Sequence, residues 1–143
     1  HVVGFHSMDH QNAMVRGYLH TRKDFRTGSE FMKRKGISDI WYRPPWGLTN
    51  LFSWHLARKY GMKMVLWDVM AEDWERGATA GSIRKKCLSR VKDGSILCLH
   101  DGGRRTGGAP GAPEKTLEAL TYVIPALKEA GCRFILPSEA VFR

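Results

Sequence analysis

The residues with the clearest capacity for chemistry come first in the chain. His6 and His10 stand four residues apart in Gly4-Phe5-His6-Ser7-Met8-Asp9-His10. At that spacing two imidazoles can meet one cation, from a helical turn or a tight loop, with Asp9 a carboxylate nearby. They do not by themselves close a zinc site, which in catalytic form takes three protein ligands and a water. Arg43, fixed ahead of Pro44-Pro45-Trp46-Gly47, is a cation able to pair with a carboxylate or a substrate. Asp73-Trp74 sets a carboxylate beside a large flat ring, a combination suited to stacking on a sugar. His100-Asp101 leaves the apolar run Ile96-Leu97-Cys98-Leu99 directly into a loop, where an imidazole beside a carboxylate can act as a general acid. Each has an ordinary reading too: solvated imidazoles, a surface arginine, a helix cap followed by a core tryptophan, a satisfied structural histidine.

The elements that must position these groups alternate along the chain. Apolar runs of strand length occur at 1–5, 37–42, 62–67, 95–99 and 132–136. Between them the pattern predicts helices over 12–18, up to about Lys35, over 51–60, from Thr79 or Ser82 to about Val91, and over 113–130 with a kink at Pro125. Pro44-Pro45 excludes regular helix and implies a loop of fixed shape, as does the stretch from Asp68 to Trp74 by its polarity. Strands separated by helices at roughly 25-residue intervals imply a parallel sheet, barrel-like or doubly wound. In both architectures reactive groups sit beyond the carboxyl ends of strands. The polar clusters after the first four strands have that placement, which predicts one shared cleft. The glycine- and arginine-rich loop 102–111 lacks the fingerprints of nucleotide sites and reads as a rim.

At 143 residues the chain is of single-domain length, and residues 1–143 read as one domain. The formal net charge of +9 is high and suits a polyanionic partner: nucleic acid, anionic lipid or an acidic cell-wall polymer. Basic clusters at Arg22, Lys23, Arg26 and at Arg84, Lys85, Lys86 come with no recognisable nucleic-acid module, so no nucleic-acid partner is expected. Cys87, Cys98 and Cys132 are too scattered for a disulfide framework or a thiolate metal site. No apolar stretch reaches the ~20 residues of a membrane span. The sequence opens already inside a strand pattern, without a leader, and is expected to begin partway into a larger domain.

Taken together, His6-Ser7-x-x-His10, then Arg43-Pro44-Pro45-Trp46-Gly47, then Trp67 to Trp74, then Ile96 to Asp101 resemble, in order and spacing, the polysaccharide deacetylases of carbohydrate esterase family 4. The stretch from Glu114 to Glu139 follows the family ending as well. The resemblance implies an α/β fold, a distorted (β/α) barrel of the polysaccharide deacetylase type, here incomplete at the N-terminus. It implies a hydrolase that removes N-acetyl groups from a polysaccharide containing N-acetylglucosamine, and a place outside the cell or in its envelope. His6 and His10 would bind a divalent metal, commonly zinc, and Ser7 would brace their loop. Arg43 would orient the catalytic base, and the Trp46 N–H would help hold the oxyanion. Asp73 would tune His100, the general acid, while Trp74 would wall the substrate groove. The metal would lower the pKa of its water and polarise the acetamide carbonyl.

Two departures from the family pattern stand out. The Asp-Asp motif that carries the base and a third metal ligand would lie upstream, in an N-terminal segment of the same domain missing here. The chain alone is therefore expected to be inactive. Met70 occupies a position where the family often has an aspartate, with Asp68 two residues earlier. An alternative is a degenerate member that binds an anionic glycan without hydrolysing it.

Overall fold

The computed structural model describes residues 1–102 and 107–139. The chain divides after Leu66 into two compact units. The glycine- and arginine-rich loop expected as a rim has its centre, Gly103 to Thr106, outside the described residues.

The first unit is built on β1 (Gly4–Phe5), β2 (Ile40–Tyr42) and β3 (Met62–Met64), a parallel sheet in the order β1-β2-β3. Two helices belong to it, α1 (Tyr18–Arg34) and α2 (Ser53–Lys59). In α1, Thr21, Phe25, Gly28, Ser29 and Met32 are buried, a helical stripe of small and apolar residues. Phe25 and Met32 join Phe5, Ile40, Tyr42, Leu56, Ala57 and Met62 in one core cluster. Gly28 brings α1 close to β1: a Cβ there would lie 2.3 Å from the Phe5 ring. That contact seats Phe5, the residue before the first histidine.

The second unit contains β4 (Val69–Met70) and β5 (Leu97–Cys98), paired in parallel, with α3 (Ala80–Arg90) and α4 (Ala112–Glu129). Ile83 and Cys87 of α3 pack with Ala119, Val123 and Leu127 of α4 and with Ala71 and Ala78. Thr79 and Ser82 close a capping box on α3, each side chain accepting the other's backbone N–H. Helix α4 runs through Pro125, which lies at an exposed position.

Parallel strands with helices between them are the expected α/β arrangement. Four local expectations change. Of the residues 12–18 expected as helix, only Tyr18 is in an α-helix, as the start of α1; before it stands a short 3₁₀ turn, Ala13–Val15, because the Asn12 side chain takes the Met14 N–H and Gly17 intervenes before α1 begins. The strands are shorter than their apolar runs. Val69–Met70, read as loop, is a strand, since its pairing with β5 supplies what two residues alone cannot show. Residues 132–136 make no strand; Phe134 and Ile135 are exposed, and no pairing partner runs beside them among the described residues. Among the described residues no helix is long and apolar enough to cross a membrane.

Candidate active site

In the first unit the chemistry sits where β1 and β2 end. His6 follows β1 directly, and its Nδ1 lies 2.6 Å from the Arg43 carbonyl oxygen, just past β2. A carbonyl oxygen only accepts, so Nδ1 carries a proton and a neutral His6 has its lone pair on Nε2. The ladder continues beside it, with the Arg43 N–H donating to the Phe5 carbonyl at 3.0 Å. The His10 ring stands edge-on to His6 with ring centres 4.9 Å apart, and edge-on to Trp46 at 4.5 Å. His10 Nδ1 is buried with no hydrogen-bond partner. A buried ring nitrogen without a partner, beside a second imidazole presenting a lone pair, fits a divalent cation. Among the described residues no group of three His, Cys, Asp or Glu side chains gathers to hold a metal, so the pair would supply two ligands and no more.

The loop between the histidines is held at its middle. The Met8 N–H donates to Asp24 of α1 at 2.8 Å, and the Ser7 hydroxyl is shared between Asp24 and Asp9. Burial pushes the Asp24 carboxyl up, and these two donors pull it partly back. Ser7, expected as the brace of this loop, does part of that work, and Asp24 does the rest.

Pro45–Gly47 forms a 3₁₀ turn in which Gly47 donates to Pro44 and Leu48 to Pro45, each at 3.0 Å. Neither bond uses the Trp46 N–H. The Trp46 backbone is left-handed at φ 54°, and its indole is exposed. The double proline therefore yields a fixed shape as expected, but a turn rather than open loop. Arg43 contributes its carbonyl, the partner of His6 Nδ1.

The second unit carries a carboxylate–imidazole pair. Asp73 is fully buried, and its Oδ1 lies 2.8 Å from His100 Nδ1. Its Oδ2 accepts the His100 N–H at 2.7 Å and the Thr116 hydroxyl of α4 at 3.0 Å. Burial opposes ionisation of Asp73, but these His100 and Thr116 hydrogen bonds outweigh it and hold the carboxyl below its ordinary value. An ionised carboxylate only accepts, so His100 Nδ1 carries the proton and Nε2 is left for chemistry. Trp74 stands edge-on to His100 at 4.9 Å, and its carbonyl accepts the Ala109 N–H at 2.8 Å. Glu72, immediately before Asp73, is left-handed at φ 50° and is gripped from α3 by Lys86 at 2.8 Å and Arg90 at 2.9 Å. Asp68 is tied to Ser95 and to the Ile96 N–H at 2.9 and 2.7 Å, a structural brace for β5, and Met70 lies in β4.

Among the described residues the non-glycine positions with left-handed backbone are Ser7, His10, Trp46 and Glu72. Every one is a candidate residue or adjoins one, the distribution expected where backbone strain serves a site. Sequence reasoning missed Asp24, Thr116 and Glu72, which reach their partners only through the fold.

No protein-family model matches the sequence. The chain is 30% identical over 141 residues to a peptidoglycan-N-acetylglucosamine deacetylase of Bacillus cereus, covering 97% of the chain and 62% of that protein. Among solved structures, a peptidoglycan N-acetylglucosamine deacetylase in complex with 4-naphthalen-1-yl-N-oxidanyl-benzamide superposes with a TM-score of 0.82 at 28% identity, over 96% of this chain and 62% of that one. A family 4 carbohydrate esterase from Streptomyces lividans in complex with acetate gives 0.75 at 25% identity, over 95% and 66%. The chain thus spans about three fifths of the length of the first of these relatives, 62%. With the motifs in family order and this likeness over nearly all of its residues, the chain is similar to the polysaccharide deacetylases of carbohydrate esterase family 4 and shares their α/β fold.

Proposed function

We propose that this chain is part of a metal-dependent hydrolase that removes N-acetyl groups from a glycan containing N-acetylglucosamine, in the cell envelope or outside the cell. The observation that carries the reading is the histidine pair: His6 locked through Nδ1 by the Arg43 carbonyl, its ring against His10, whose buried Nδ1 has no hydrogen-bond partner among the described residues. A divalent metal there, most plausibly zinc given two imidazole ligands, would supply Lewis acidity and an activated water. The remaining chemistry falls to the chain's own side chains. The Trp46 N–H donates to the oxygen that gains charge. His100, oriented by Asp73, protonates the departing amine, which leaves poorly without that proton. Arg43 aligns the base, and Trp46 and Trp74 offer ring faces to the sugar.

The test pairs zinc content with acetate release from N-acetylglucosamine oligomers, for the protein at its natural length and its His6→Ala variant. Loss of both in the variant is expected. Full activity without His6, or no activity in the unmodified protein loaded with metal, defeats the reading. Met70 and the +9 charge favour a second reading, an anionic-glycan binder without hydrolysis. Salt-sensitive glycan binding with no acetate released would select it.

A further inference from the structure

The search for a role outside the four motifs leads to α1. Asp24 is half-buried on the margin of that helix's packed stripe, one residue before Phe25. In sequence it stands amid Arg22, Lys23 and Arg26. Its carboxylate takes the N–H of Met8, midway between His6 and His10, at 2.8 Å. The Ser7 hydroxyl, which donates to Asp9, lies beside it as well; Asp9 and His20 are the titratable groups whose charges it feels, and its own charge in turn helps to raise the Tyr42 hydroxyl. The other two tethers of the loop act at its ends: the Arg43 carbonyl on His6 and the Trp46 ring on His10. With Ser7 at φ 65° and His10 at φ 49°, the loop turns sharply on both sides of Met8. A loop curved in that way and held only at its ends would leave the separation of the two imidazoles free to vary.

We propose that Asp24 is a positioning residue for the metal pair, fixing through the Met8 N–H the spacing at which His6 and His10 meet one cation. The proposal rests on the metal reading above and adds a residue of α1 to it. Its role differs from that of Ser7, whose hydroxyl braces the loop from within. Asp24 couples the loop to a helix packed in the core, so the ligands inherit the rigidity of α1. Outer partners of this kind typically change metal affinity 10- to 100-fold when removed.

The experiment uses the protein at its natural length, with zinc alone as the probe. Zinc affinity is measured by calorimetry, and the Met8 amide is followed by hydrogen exchange, in the unmodified chain, Asp24→Ala and Asp24→Asn. Far-UV circular dichroism and melting report whether each variant folds. In Asp24→Ala the Met8 amide loses its protection and zinc binding weakens by at least about tenfold. Asp24→Asn keeps an acceptor for the Met8 N–H and is expected to lose less of both; it also decides the matter should the alanine variant not fold. A folded Asp24→Ala variant that binds zinc within twofold of the unmodified protein, or keeps its Met8 protection, overturns the proposal, as does an Asp24→Asn variant that loses nothing of either. No zinc uptake by the unmodified chain would instead overturn the metal reading, and this proposal with it.

Discussion

Four left-handed residues set the energetics of the candidate site. A non-glycine residue in that region costs roughly 1–2 kcal/mol, so Ser7 and His10 together oppose their own loop by about 2–4 kcal/mol. A neutral hydrogen bond returns about 1 kcal/mol and one to a charged group about 1.5–3, so the charged acceptor Asp24 is the single tether strong enough to matter alone. Asp73 illustrates the same logic with a sign that can be tested. Its folded-state carboxyl lies below the ordinary value of 3.8, so it contributes stability that is fully present above that value. That contribution is lost as pH falls below it, through the folded value. Asp73→Asn is therefore expected to flatten the acid side of the stability curve, read as urea midpoints between pH 2 and pH 6. Acetate release by the protein at its natural length should also drop by about 10²-fold or more, because nothing then fixes the His100 proton on Nδ1. An unchanged acid limb would mean that the buried carboxylate is not held by His100 and Thr116. Thr116→Val is expected to cost about 1–3 kcal/mol, measured by denaturant melts, since it strips a donor from a buried charge. Neither Thr116 nor Asp24 could be read in the sequence. Thr116 lies 43 positions from Asp73, and a threonine or aspartate inside a helix carries no local mark of such a bond. The histidines, Arg43, Asp73-Trp74 and His100 were legible because their order and spacing, not their surroundings, identify them.

Helices were legible and strands less so, for a physical reason. The buried stripes of α1 and α4 repeat at helical spacing over about three and four turns, and that periodicity survives any tertiary context. The strands are two or three residues long and are defined by pairing, which the sequence of one strand does not contain. Val69–Met70, set between Asp68 and Glu72, has no apolar run of its own, and residues 132–136 have the run without the partner. Gly28 is the element-scale point where helix and strand meet. Within a helix, glycine costs about 1 kcal/mol relative to alanine, so the close approach of Phe5 is what it supplies in return. Gly28→Ala would gain that propensity but force a Cβ to 2.3 Å from the Phe5 ring. The expected net result is a loss of about 1–3 kcal/mol in a thermal or urea melt, with weaker zinc binding because His6 follows Phe5. A stabilised Gly28→Ala would show that β1 can move off α1 without cost.

Charge belongs to the whole molecule. The excess of +9 favours no fold, but it sets how the chain meets a polyanion. The basic groups are not equivalent. Lys86 and Arg90 are engaged with Glu72 and hold a candidate residue in place, so reversing them would confuse binding with site geometry. Arg22, Lys23 and Arg26 are exposed on α1, away from its buried stripe, and are the cleaner probe. Their joint reversal to glutamate is expected to weaken binding to an acidic wall polymer by about tenfold or more at low salt, where the Debye length is near 30 Å at 0.01 M. At 0.15 M, with screening over about 8 Å, the difference should shrink severalfold. Binding of a short neutral N-acetylglucosamine oligomer should stay unchanged at both salts, because no long-range field acts on an uncharged ligand. Polymer affinity that ignores both the reversal and the salt would place recognition in the aromatic and polar residues of the site, and would leave the high charge without a part in substrate capture.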